Sequence, residues 1–188
     1  VYDRGGTTTN PQEAEVLVKA VATRITEAIQ EKTKPSIGIV AFSLGQKEVL
    51  QDAWDKLVAG RTDIRKYCDG LSEGEHLFIK NLEDVQGDER DIIFISVGYG
   101  LDREGKFTHN FGPVGRDGGD RRLNVLFSRS RYEMVLCANF ESHLITSDNK
   151  ALQMLKSMLE LSVGSPLIET RQSTAFIEDV CLFIESIG

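Results

Sequence analysis

The sequence is short of cysteine, of basic charge and of long apolar runs, and each shortage excludes a class of protein. Cys68, Cys137 and Cys181 are three cysteines in 188 residues with no short spacing between them. Neither a disulfide framework nor a zinc knuckle is encoded, and a reducing compartment, the cytoplasm, is the expected setting. No apolar run reaches the roughly 20 residues that a membrane-spanning helix needs. The opening VYDRGGTTTN has neither the basic nor the apolar region of a secretion signal, so a soluble chain with no membrane partner is expected. Lys and Arg number 22 against 29 Asp and Glu, a formal charge of -7. Bulk attraction to a polyanion is excluded, and any nucleic-acid contact must be local.

Self-contained catalytic signatures are missing too. The glycines at Gly5-Gly6, at Gly98 and Gly100, and from Gly112 to Gly119 match neither a P-loop nor a dinucleotide fingerprint. His76, His109 and His143 are isolated, without metal-ligand spacing, and no residue sits in a nucleophile elbow. What remains is 40% hydrophobic and 27% charged, the balance of one compact domain or a domain plus a tail. With no initiator Met and a strand-like start at Val1 to Asp3, the chain reads as a piece of something longer.

Apolar periodicity predicts a helix from Pro11 to about Glu31, with Ala14, Leu17, Val18, Val21, Ile25, Ala28 and Ile29 on one face. Asn10 is its N-cap and Pro11 its first residue. Ser36 to Phe42 is a short β-branched run that reads as a strand buried on both faces. A helix from about Gln46 to Ala59 follows, then strands at Leu77 to Lys80, Ile92 to Val97 and Met134 to Ala138, with a helix at Gly119 to Arg129 before the last. This alternation is the pattern of a layered α/β domain with a mostly parallel sheet. Gly98 to Gly119 forms a long polar loop expected to be functional, mobile or both, with few apolar anchors. Helical patterning returns at Ser147 to Leu161 and again from Phe176 to Ile187. The division expected is a domain over residues 1–145 and a helical extension over 146–188.

Within an acidic chain, GDRRLNVLFSRSR gathers Arg121, Arg122, Arg129 and Arg131. With Leu123, Val125, Leu126 and Phe127 turned to the core, a helix leaves Arg122 and Arg129 on a common face, where two guanidiniums suit a phosphate. The same pattern fits a solvated basic face offset by Asp117 and Asp120. Upstream, LEDVQGDERDIIFIS places a polar turn with Gln86, Gly87 and Glu89 directly before a buried strand.

Taken in order, these segments resemble the second, C-terminal RecA-like domain of Upf-type superfamily 1 helicases. SIGIVAFSLGQKEVL is similar to helicase motif IV, NLEDVQGDERDIIFIS to motif V and RRLNVLFSRSR to motif VI. The resemblance runs from Ile37 to Asn139 and implies a RecA-like three-layer sandwich with a helical C-terminal extension. It implies further that Arg129 is the arginine finger for ATP held, with Mg, mainly by a first RecA-like domain. Lys47, after the motif IV glutamine Gln46, stands where many relatives place an arginine on the γ-phosphate. Glu89 matches an acid at the nucleotide ribose. Gln86 and Gly87 match the turn linking nucleotide to nucleic acid, and Asn81 stands where the family often has Thr or Ser near a strand phosphate. Gln46, Lys47, Gly87, Glu89 and Arg122 are thus the nucleotide-side candidates, Asn81 and Gln86 the nucleic-acid ones, and no residue is assigned to a metal. The function implied is the second motor domain of an ATP-dependent helicase, partnered by its first domain and by single-stranded DNA or RNA. The alternative is an inert RecA-like binding or scaffold module. The stretch STAFIEDVCLFIESIG also resembles the opening of an endonuclease-like domain, with Glu178 as its acid, or else is a plain terminal helix.

Overall fold

The computed structural model describes residues 9–102, 104–162 and 181–186. Helix α1 spans Pro11–Glu31, and the Asn10 side chain accepts from the Glu13 amide at its start. Strand β1 is Ile37–Ala41, α2 is Leu44–Val58, α3 is Thr62–Asp69, β2 is Phe78–Asn81 and β3 is Arg90–Gly100. Helix α4 is Gly119–Phe127, β4 is Ser130–Asn139, a short 3-10 turn covers Ser142–Leu144, α5 is Lys150–Ser162 and β5 is Cys181–Ser186. The sheet order is β2-β1-β3-β4-β5. β1 to β4 are parallel, and β5 runs antiparallel along β4.

Alternation along the strands builds three layers. Ile37, Ile39, Ala41, Ile92, Phe94, Val135 and Cys137 face α1, α2 and α3, where Leu17, Val21, Ile25, Leu50, Trp54 and Ile64 complete one core. Val40, Ile93, Ile95, Val97, Met134 and Leu136 face the other way, onto Leu123 and Leu126 of α4 and Leu152, Leu155 and Leu159 of α5. A sheet buried on both faces explains why its strands read as unbroken apolar runs. The result is the RecA-like α/β sandwich expected.

Three local expectations change. Helix α3 is unforeseen because only Ile64 and Tyr67 among its eight residues are buried, too few for a periodic signal. Residues 181–186 of the last amphipathic stretch form a strand, not a helix. Leu182, Phe183 and Ile184 make a short apolar run that suits either state, and pairing covers the ladder groups that β4 would otherwise leave open. The remainder of that stretch, with Glu178, lies outside the described residues, as does the strand expected at Val1 to Asp3.

The long loop is not the weakly anchored segment expected. β3 extends to Gly100, Leu101 bridges to Phe107, and Phe111 and Val114 are completely buried in the second core. Phe111 packs against Tyr99 and Phe140 with ring centroids 5.5 and 5.7 Å away. At its far end Gly119 is required, since a Cβ there would lie 1.9 Å from the Val114 carbonyl oxygen. Phe111→Ala should therefore destabilise the whole domain by about 3–5 kcal/mol, the scale of a core aromatic. Chemical denaturation reads this as a lowered midpoint with unchanged slope; a loss under about 1 kcal/mol would show a loop that merely rests on the surface.

Candidate functional site

Parallel pairing sorts the candidate residues between two edges of the sheet. At the amino-terminal edge, where strands begin, the Arg90 amide donates to the Arg129 carbonyl at 3.0 Å. This joins the motif V turn to the end of the motif VI helix. The turn arrives there because β2 ends at the opposite edge, so residues 82–89 must run back along the sheet. Leu82 and Val85 pin that run into the core beside Leu123 and Leu126 of α4, while Gln86, Gly87 and Glu89 face solvent. Gly87 takes a positive φ of 88°, and the Asp88 amide closes the turn on the Val85 carbonyl at 3.2 Å.

The arginines of motif VI have separate employments. Arg131 donates to Glu75 at 3.0 Å and to Asp91 at 3.4 Å. That contact holds the Glu75 carboxyl below its ordinary range and raises the guanidinium. Neighbouring Arg90 is buried, donates twice to the His76 carbonyl, and lies 4.7 Å over the Phe78 ring. Burial pushes its guanidinium below the usual value. Arg122 donates to the Asp117 carbonyl at 3.0 Å and stands 3.9 Å from Glu83, which fixes the loop onto α4 at the carboxyl-terminal edge. The Arg129 side chain donates to the Val125 carbonyl and the Ser128 hydroxyl, both at 2.9 Å. Among the described residues no carboxylate pairs with it. The guanidinium at the motif V turn is thus un-neutralised, and the structure does not bring Arg122 to it.

Gln46, Lys47 and Asn81 lie at the carboxyl-terminal edge, across the sheet from Arg129 and Glu89. Asn81 is committed to a turn: its Oδ1 accepts from the Glu83 and Asp84 amides at 2.8 and 3.0 Å, and its Nδ2 donates to Asp84 at 2.8 Å. Lys47 is half-buried in the first turn of α2. Between β1 and β3, whose connections leave in opposite directions, lies the crevice in which open α/β sheets commonly take ligands. Here the chain's own side chains fill it. Ser43 caps α2 by accepting from the Gln46 amide at 3.2 Å. The Gln46 side chain, fully buried, accepts from the Asn10 amide at 2.7 Å and donates to the Asn10 carbonyl at 3.1 Å and to Ser96 Oγ at 3.0 Å. Glu13, also fully buried, accepts at Oε1 from Ser96 Oγ at 2.7 Å and from the Gly98 amide at 2.8 Å.

Glu13, Ser96 and Gly98 escape notice in the sequence, though Asn10-x-x-Glu13 is a helix-start signal. In the usual arrangement such an acid turns back to the N-cap amide. That amide is taken by Gln46, and Glu13 points inward instead.

Burial pushes the Glu13 carboxyl up from 4.5 to about 7, against the hydrogen bonds from Ser96 and Gly98 that favour its charge. A raised acid binds its proton more tightly folded than unfolded. Its contribution is complete below about 4.5 and is lost as pH climbs to about 7. The loss is about 3 kcal/mol on the scale of 1.4 kcal/mol per unit. Denaturation of the wild type and Glu13→Gln from pH 5 to 8 should show wild type losing about that much relative to the variant. Parallel curves would mean that Glu13 stays charged throughout.

A family model described as an AAA domain matches residues 2–141. The uncharacterized ATP-dependent helicase MG140 of Mycoplasma genitalium is 38% identical over 104 residues, which cover 55% of this chain and 9% of that protein. Its homolog in Mycoplasma pneumoniae is 35% identical over 130 residues, 68% of this chain and 11% of that protein. The chain thus spans about a tenth of the length of these curated relatives. Solved structures include the plantazolicin methyltransferase BpumL, at 12% identity and a TM-score of 0.34 over 79% of this chain and 57% of that one. Magnesium protoporphyrin IX methyltransferase of Synechocystis PCC 6803 matches at 9% identity and a TM-score of 0.37 over 91% and 83%. Likenesses that slight bear on neither family nor function. Matched over most of its length, the chain belongs to this AAA domain family and is a helicase-type C-terminal RecA-like domain.

Proposed function

We propose that this domain is the second motor domain of an ATP-dependent nucleic-acid helicase and completes an ATP site held by a first RecA-like domain of the same polypeptide. The observation that carries the reading is Arg129, an uncompensated guanidinium tied through its main chain to the motif V turn. A further feature supports it: the crevice in which open α/β sheets commonly take a ligand is filled here by Gln46, Glu13 and Ser96. In this reading the Mg ligands come from the first domain. ATP with Mg, when bound, would supply the phosphoryl group and the energy of its transfer. Arg129, released from Val125 and Ser128, would hold the γ-phosphate and stabilise charge that grows in the transition state. Glu89, exposed on the same edge, would face the ribose. Opening and closing of this cleft would move a single strand of DNA or RNA past the two domains.

Arg129→Ala in the full-length protein should lower ATP turnover by about 10³, the usual scale for an arginine finger, with nucleic-acid affinity unchanged. Arg129→Lys should rescue little, because an ammonium lacks the forked grip. Arg121→Ala, exposed elsewhere on α4, serves as the mild control. Steady-state ATPase with saturating single-stranded nucleic acid decides this. Turnover within a few-fold of wild type for Arg129→Ala would transfer the reading to an inert binding module. The isolated 188-residue chain should show no ATPase above a buffer blank.

A further inference from the structure

The buried polar cluster does more than close the crevice. It joins three segments remote in sequence, residues 10–13, Gln46 and residues 96–98, and the Glu13 to Gly98 contact spans 85 positions. Both main-chain groups of Asn10 are gripped by the one amide of Gln46. Gln46 Nε2 donates also to Ser96, Ser96 donates to Glu13, and Glu13 accepts from the Gly98 amide. Gly98 is the point at which β3 begins to give way to the long loop. It takes a φ of +71°, and the space of its missing Cβ is occupied by Gln46 Cγ, 2.8 Å away. A displacement of Asn10 therefore cannot occur without moving Gln46, and Gln46 cannot move without disturbing both Ser96 and Gly98. Apolar side chains would fill such a crevice at lower desolvation cost. What directed hydrogen bonds add is a fixed register between segments.

We propose that Glu13 is a positioning residue which, through Ser96 and Gly98, holds the Gly98–Gly118 segment in register with the chain entering α1. With Gln46 it makes movement at Asn10 felt at that segment. Asn10 is the N-cap of α1, so the lever ties the start of that helix to the loop at the carboxyl-terminal edge. The inference rests on the motor reading only for its enzymatic consequence, which is coupling of nucleic-acid binding to turnover.

Hydrogen exchange of the full-length protein tests the mechanical part. Glu13→Ala should raise exchange about tenfold, the upper range of such couplings, at residues 9–13 and 97–112 together, with α3 and α5 unchanged. Ser96→Ala should raise it at residues 97–112, and Glu13→Gln, which keeps an acceptor at the Oε1 position, should restore most of the protection. The enzymatic part uses an oligothymidine strand. Glu13→Ala should raise the concentration needed for half-maximal ATPase stimulation by roughly tenfold, while ATPase without nucleic acid stays within about twofold of wild type. Exchange raised only at residues 9–13 would show a plain helix cap and overturn the proposal. So would exchange raised throughout in Glu13→Ala with residues 97–112 unaffected in Ser96→Ala. Failure of the motor reading shows separately, as retained turnover in Arg129→Ala.

Discussion

Everything about the site depends on parallel pairing. Because β1 to β4 all point the same way, every connection must cross the length of the sheet, and strand beginnings and ends collect at opposite edges. The connection from β2 to β3 makes that crossing without a helix. It runs over the same face as α4, and Leu82, Val85, Leu123 and Leu126 share one core. Motifs V and VI meet for this topological reason. The Arg90 to Arg129 hydrogen bond is the first rung of the β3–β4 ladder, so the main chain that carries the Arg129 side chain is anchored to the sheet that starts there.

The cluster at the opposite edge is an expensive way to fill space. A fully buried carboxyl, amide and hydroxyl each lose water, and hydrogen bonding returns only part of the cost. Glu13 shows the imbalance directly, since its two good donors do not prevent burial from raising it to about 7. The amino-terminal edge solves its electrostatics otherwise. Arg131 and Arg90 are held by acids, a carbonyl and an aromatic face, and Arg129 alone in that group keeps its charge uncompensated. An acidic chain of formal charge -7 thus keeps a guanidinium without a carboxylate partner among the described residues beside the motif V turn.

Legibility of the sequence followed how local each signal was. The cap at Asn10, the two-sided strand β1 and the order of the motifs are short-range patterns, and the family resemblance carried the fold with them. Helix α3 has too few buried positions to be periodic, and Cys181–Ser186 takes its state from a distant partner strand, as Glu133 pairs with Ser186 outermost and Ala138 with Cys181 innermost. The loop hid its anchors among glycines: Phe111 and Val114 give no periodic pattern, yet both are completely buried. Asn81 and Gln46 were legible as polar residues at motif positions, but Asn81 is taken up by a local turn with Asp84, and the partner of Gln46, Asn10 some 36 residues back, is set by tertiary structure. Glu13 was hidden by the same cause, its partners being more than 80 residues distant.

Arg122 and Arg129 show where helical periodicity misleads. Seven residues apart, they share a face in projection, which suggests two forks on one phosphate. A helix also rises by about 1.5 Å per residue, so α4 alone carries the chain roughly 8 Å from Arg122 to its end at Phe127, and Arg129 lies two residues beyond that end. That is most of the depth of a short parallel sheet. The separation puts Arg122 against Asp117 and Glu83 at the carboxyl-terminal edge and Arg129 against the motif V turn at the other. A face of a helix is a direction, not a place. The two guanidiniums therefore serve different ends of the domain: one secures the loop that follows β3, and the other stands beside the motif V turn.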